Sequence, residues 1–364
     1  MVKSLLRQAA CRRNLPWLYA VVRLGAPRQL RNPAVQEFLQ DDLTFFALPF
    51  FFTAIALEAF WSRRRDLHWY RATDTMASLS MMVLAAVVEF APRLLAIVIM
   101  VELHDISPLR DVVQRQWWAW LLLFFLDDLS YYWFHRMNHE VRLLWAGHVN
   151  HHSSEFLNFG TALRQGVGER VHKYLFWLWL PLLGFDPAMI ITMISISLFY
   201  QFWIHTRGVG KLHPWIEAVF NTPSHHRVHH GSNIRYLDCN HGGMLIIWDR
   251  LFGTFSPEVK QDPVIYGLTT NIHTDNPLRV LSHEYLALAR DLRRAPHWGD
   301  RLRYLFLAPG WSHDGPDKRA APRVTGTVHL IRVTGTVYLI RVTGTVYLIP
   351  PGHVLGMLNC SKGN

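Results

Sequence analysis

The chain has 364 residues, 50% of them hydrophobic and only 18% charged, with 15 Trp and 21 Phe. Soluble proteins carry roughly a quarter charged residues, so the composition argues against an ordinary soluble globule and for a membrane protein. The net charge of +10 does not mark a nucleic-acid binder, because the basic residues flank apolar runs, as in Trp61-Ser62-Arg63-Arg64-Arg65, where cytoplasmic loops of membrane proteins carry them.

Residues 1–42 form a basic N-terminal segment. It lacks an apolar core long enough for a cleaved signal peptide. Four apolar runs follow, at 43–61, 76–101, 116–134 and 174–204. A spanning helix needs about 20 mostly apolar residues, which the first three supply. The fourth is too long for one span and carries Gly184-Phe185-Asp186-Pro187 in its middle, a helix stop followed by a restart. It reads as a helical hairpin that enters the bilayer and returns. Both flanking polar segments then face one compartment, and the positive flanks assign that side to the cytoplasm. The expected fold is all-α: an integral-membrane, multi-pass helical bundle.

Thirteen of the 21 histidines fall between residues 135 and 241. HRMNH holds His135 and His139, HVNHH holds His148, His151 and His152, and HRVHH holds His226, His229 and His230. Residues three and four apart share a helix face, so His135 and His139 can reach one ion. In HxxHH the first histidine lies beneath both later ones, while the adjacent pair diverges by about 100°. One such unit can therefore touch two neighbouring ions. Eight imidazoles exceed the four ligands of a tetrahedral ion, which points to two metals at the cytoplasmic face. Imidazole suits iron, zinc, copper and nickel alike. His225 falls outside the repeated pattern.

Other residues join the candidate site. Asp128, Tyr132, His135 and His139 form one helical stripe. Asp127 and Asp128 lie deep in an apolar run, where carboxylates are costly and usually functional; Asp128 is expected to orient a ligand histidine. Glu140 and Glu155 follow histidine motifs and are candidates as ligands or as partners of ligands. His205, ending the fourth run, and His241, in CNHGG, are candidate ligands by position. HExxH, Walker A, GxGxxG and CxxCH are absent, as are the paired Glu-x-x-His motifs of ferritin-like bundles. Cys11, Cys239 and Cys360 form no CxxC pair.

This order of clusters resembles the fatty acid hydroxylase / sterol desaturase superfamily of integral-membrane di-iron oxygenases. HRMNHEVRLLWAGHVNHHSSEFLNFGTALRQ and NTPSHHRVHHGSN, with HGGMLIIWDRLFGTF, are most similar to its alkylglycerol monooxygenase-like branch. The resemblance covers residues 43–310, with core motifs at 123–257. It implies two iron ions on His135, His139, His148, His151, His152, His226, His229 and His230. His205 and His241 match extra ligand positions, and Glu140 matches an acidic position. It further implies O₂-dependent hydroxylation or desaturation of a C–H bond in a lipid, with an ether lipid as one candidate. Electrons would come from tetrahydrobiopterin or an external electron-transfer partner, since no flavin or Fe–S motif is present.

The competing readings are a membrane metal-binding or transport protein and an inactive relative. The second is prompted by residues 311–364, where RVTGTVHLI, RVTGTVYLI and RVTGTVYLI repeat with a period of nine. This tail reads as a recent tandem duplication, poorly ordered and irrelevant to the chemistry.

Overall fold

A computed structural model describes residues 43–320, with two further strands at 329–333 and 336–340. The N-terminal segment 1–42 lies outside the described residues. So does most of the repeat tail, and with it the expectation of disorder there. The strands His329–Val333 and Thr336–Ile340 pair antiparallel. Everything before them is built on helices.

The first three apolar runs become helices α1 (Leu43–Arg64), α2 (Ala72–Asp105) and α3 (Trp117–Glu140). Only α2 among the described residues is long and apolar enough to cross a membrane by length and composition. It buries Met81, Ala85, Ile97 and Met100 inward and leaves Val83, Val87, Phe90 and Leu95 outward. A helix apolar on both faces is one whose outer face meets something other than water. Helix α3 outruns its apolar stretch and carries the first histidine pair on its last turns.

The fourth run does break where the sequence indicates. Gly184 sits at φ +87°, and a β-carbon there would lie 2.6 Å from the Leu109 carbonyl. The two arms are unequal, however. The second is a 17-residue helix, α5 (Pro187–Trp203), capped by Asp186 on the Ala188 N–H. The first is a 3-10 run, Lys173–Trp177, and a single α turn, Trp179–Leu182. A membrane-length first arm does not form: Arg170 and Glu169 just before it and Lys173 at its start are buried in polar contacts, so the chain is committed to them before the apolar stretch begins.

One apolar cluster joins α2 (Ile97, Met100), α3 (Leu123, Phe134), the 3-10 run (Trp177) and α5 (Met189, Ile190). A second ties α1 to α5 through Phe51 stacked on Phe202, ring centroids 4.2 Å apart. Between them run the elements that carry the histidines: α4 (Arg142–His152) against α3, and α6 (Pro223–His229) beyond α5. Helices α7 (Pro277–Arg294) and α8 (Trp298–Phe306) close over α4, where Arg142 pairs with Glu284 at 2.8 Å and Asp291 at 2.7 Å.

Candidate metal centre

The histidines form two groups, within each of which all the candidate ligand atoms lie within 4.8 Å of one another. The first holds His135, His139, His148, His152 and His229; the second holds His151, His205, His226 and His230. Helical geometry explains the sorting. His135–His139, His148–His152 and His226–His230 are i,i+4 pairs, so each pair serves one group. His151 and His229 sit off those stripes and reach across to the opposite group. Each HxxHH unit thus contributes to both. His241 stands beside the first group, its ring centroid 5.0 Å from His139.

Four of the rings are tied by their outer nitrogens to main-chain carbonyls. Nδ1 of His135 donates to the His241 carbonyl at 2.9 Å, and that of His229 to the Cys239 carbonyl at 2.8 Å. Nδ1 of His151 donates to the Arg164 carbonyl at 2.9 Å, and that of His205 to the Gln201 carbonyl at 2.7 Å. A neutral imidazole has one N–H, so Nε2 of each of these rings carries only a lone pair. Yet Nε2 of His205 lies 3.4 Å from Nε2 of His151. His226 Nε2 sits 2.9 Å from His205 Nε2 and 3.1 Å from His230 Nε2, and His148 Nε2 lies 3.2 Å from His152 Nε2. In the first group, Nε2 of His135, His139 and His229 are buried without a hydrogen-bond partner. Inward lone pairs at these spacings fit a shared cation: nitrogens about 2.0–2.1 Å from one ion lie roughly 3 Å apart. The donor set therefore fits a metal in each group.

Burial reinforces this. Desolvation drives His151, His152, His226, His229 and His230 well below the usual histidine range, and His205 to about 4. Neutral imidazole is the form that binds metal.

Carboxylates support two of the rings. Glu169 Oε2 accepts from His148 Nδ1 at 2.5 Å, and Asp238 Oδ1 lies 3.3 Å from His139 Nδ1. Burial opposes ionisation of Glu169, but His148 and Arg170 outweigh it and hold the carboxyl down at about 2. The approach is possible because Gly147 lets α4 lie directly on the turn that bears Glu169. A β-carbon on Gly147 would meet the Glu169 backbone nitrogen at 2.7 Å. Glu169 was not singled out from sequence, although it opens a lone Glu-x-x-His at 169–172.

The acidic candidates take other positions. Asp128 accepts from Met244 N at 2.6 Å, Leu245 N at 3.0 Å and Trp248 Nε1 at 3.0 Å. It anchors the turn after His241 rather than an imidazole. Asp249 does the same from the other side, taking the N–H groups of His241 and Gly242 at 2.7 Å each. Glu140 pairs with Arg136 at 2.8 Å, and Glu155 lies near the surface, 3.7 Å from His273. Neither belongs to a histidine group. His225 also lies outside both, with Nε2 2.9 Å from Glu217 Oε2.

A cavity of about 180 Å³ adjoins the centre. His148, His151, His205 and His226 belong to its lining, and Leu48, Phe51, Met82, Ala85, Leu198 and Phe202 supply apolar lining. An apolar ligand lying there would touch the second group through three of its four rings.

The interior of this helical chain is thus given over to two groups of clustered imidazoles. Residues 120–254 match the fatty acid hydroxylase family. The chain is 38% identical over 286 residues to the alkylglycerol monooxygenase of Xenopus tropicalis, which covers 77% of this chain and 63% of that protein. It is 39% identical over 285 residues to the Danio rerio alkylglycerol monooxygenase, again with 77% and 63% covered. The Homo sapiens alkylglycerol monooxygenase is 38% identical over 263 residues, with 70% and 57% covered. The chain thus spans no more than 63% of the length of these relatives. No solved structure matches it.

Proposed function

We propose that this chain is a membrane-bound, O₂-dependent lipid oxygenase working with two iron ions. The observation that carries the reading is the pair of inward-facing imidazole groups set against a cavity with apolar side chains in its lining. One ion would be held by His135, His139, His148, His152 and His229, with His241 adjoining. The other would be held by His151, His205, His226 and His230. Iron bound there supplies the redox chemistry that lets O₂ attack an unreactive C–H bond.

The protein's own groups do the rest. Backbone carbonyls fix His135, His151, His205 and His229, and Glu169 fixes His148, with Nε2 inward. Phe51, Phe202 and Leu48 exclude water from the neighbouring cavity and hold an alkyl chain there. The resemblance to alkylglycerol monooxygenases favours an ether lipid as substrate. The reductant is tetrahydrobiopterin or an external electron-transfer protein. The helices of the four apolar runs seat in the bilayer with the histidine centre on the cytoplasmic side, in keeping with the arginines at the end of α1.

The test is oxygen uptake by purified, iron-loaded protein supplied with a mixed lipid extract and each reductant in turn. Uptake that requires iron, lipid and reductant together supports the reading. An iron-loaded protein that consumes no oxygen above the His151→Ala variant under any of these conditions sinks it.

A further inference from the structure

Helices α7 and α8 form a hairpin that packs through its inner side alone. Leu288, Ala295 and Tyr304 bury together there, with the Arg142 guanidinium 5.4 Å from the centre of the Tyr304 ring. The outer side is apolar as well. On α8, Trp298, Leu302 and Phe306 recur at four-residue intervals, which makes one stripe, and they are 75%, 52% and 58% exposed. On α7, Leu278 and Leu286 are exposed too. Apolar residues scattered singly over a surface need no explanation. A stripe of large ones on the far side of an already packed helix marks a contact.

The stripe is set among cations. Arg279, Arg290, Arg293, Arg294 and Arg303 are exposed, and the Arg301 guanidinium lies 4.9 Å from the centre of the Trp298 ring. The hairpin's acids do not offset them on the outer surface. Glu284 and Asp291 both turn to Arg142, and Asp300 pairs with Arg303 at 3.2 Å while its own side chain is only 13% exposed. The attachment to α2 is an independent observation. Just before α7, Asp275 accepts from Arg71 at 2.8 Å and from Thr73 at 2.6 Å, at the polar start of α2. Val280 then packs with Met81 and Ala85, level with Val83 and Val87, where the outward face of α2 is apolar. Helix α7 thus begins where the membrane-like surface of α2 begins. Trp61 and Arg65, one short loop before α2, make the same ring–guanidinium pair at 4.7 Å.

We propose that the α7–α8 hairpin is an interfacial anchor, whose stripe of Trp298, Leu302 and Phe306 sinks into the headgroup layer of an anionic phospholipid surface while the surrounding arginines meet its phosphates. Tryptophan rings and arginines are the side chains that settle at that depth, and basic residues draw a helix to anionic lipid. A second copy of the chain fits the face less well, because two such faces would bring like charges together. The anchor goes beyond the oxygenase reading and rests on it only in taking the chain to be membrane-bound. Its consequence is positional. Arg142 starts α4 and is held by Glu284 and Asp291 of α7, so the anchor sets the height of His148, His151 and His152 against the lipid surface.

The test is spin-label depth measurement on the full chain, with Cys11→Ser and Cys360→Ser as background, in vesicles of phosphatidylcholine with or without phosphatidylglycerol. Labels are placed by Leu302→Cys, by Val87→Cys on the outward face of α2, and by Asp314→Cys beyond the hairpin. The expected result with phosphatidylglycerol is a label at 302 that meets dissolved oxygen more than a water-soluble nickel chelate, about 5–10 Å deep, a deeper label at 87 and a water-exposed label at 314. Omitting phosphatidylglycerol, or adding Arg293→Gln/Arg294→Gln/Arg303→Gln, should raise nickel access at 302 at least about twofold. A label at 302 open to nickel in both vesicles would overturn the anchor, and so would one shielded from both reagents, which would mean cover by protein, whether residues beyond 320 or a second copy. Immersion indifferent to lipid charge and to the arginines would overturn the anionic surface as its partner. A lipid-exposed label at 87 beside a water-exposed one at 302 would sink the anchor alone; water exposure at both would sink the membrane-bound reading with it.

Discussion

His151 and His205 confront each other through their bare Nε2 atoms, 3.4 Å apart, while each donates its only N–H backward to a main-chain carbonyl. Two lone pairs at that distance repel unless a cation lies between them. The two rings come from different helical segments 54 residues apart, so their meeting is a property of the fold and not of local sequence.

The two groups should be separable by substitution. His205→Ala removes a member of the second group and should lower bound iron from about two ions to about one. His152→Ala should do the same through the first group, and the two remaining ions should differ in their electronic spectra. His225→Ala, outside both groups, should retain both ions. Metal analysis of the three purified variants checks this; loss of iron in His225→Ala equal to that in His205→Ala would refute the grouping.

Glu169 should act on metal affinity through His148. Glu169→Gln keeps the size and removes the charge that supports the ring. Loss of such a partner usually weakens metal binding about 10–100-fold. Chelator competition measures the change, and an unaltered affinity would show that the contact is only packing.

Asp128 should matter for folding more than for chemistry. Asp128→Asn leaves at least one of three buried donors poorly satisfied. Hydrogen bonds to charged groups contribute about 1.5–3 kcal/mol each, so the variant should lose roughly that much stability while still binding some metal. Denaturant unfolding beside metal analysis would decide; complete metal loss at wild-type stability would contradict the assignment.

The metal-free protein should weaken in mild acid. His205 titrates near 4 when folded, against an ordinary 6.5. Between those values the unfolded chain binds a proton that the folded chain does not, so stability falls as pH drops from 6.5 toward 4. Melting temperatures of chelator-treated protein across that range should decline steadily. A flat profile would mean that the rings are already charged or solvated.

The histidine clusters were legible because their spacing is a local, helical quantity. The i,i+4 pairs His135–His139, His148–His152 and His226–His230 follow from turn geometry alone. Which ring joins which group was not legible, since it depends on how α4 and α6 meet. Glu169 went unseen because its partner His148 lies 21 residues upstream, beyond a loop. Asp128 was read as a partner of histidine for its place on their helix face. Its carboxylate instead meets a turn more than 110 residues away, a contact that no periodicity encodes. The apolar runs were placed well, but the first arm of the fourth run was overestimated, because hydropathy does not reveal that the preceding polar residues point inward.

The sharing of α4 and α6 between both groups has a mechanical consequence. Neither helix can turn to suit one ion without swinging its remaining histidine away from the other. A single residue inserted between His148 and His151 would rotate the two by about 100° relative to each other and detune both positions together. The centre is thus geared: its two imidazole groups are separate in space, yet any drift in one is transmitted to the other through a rigid shaft.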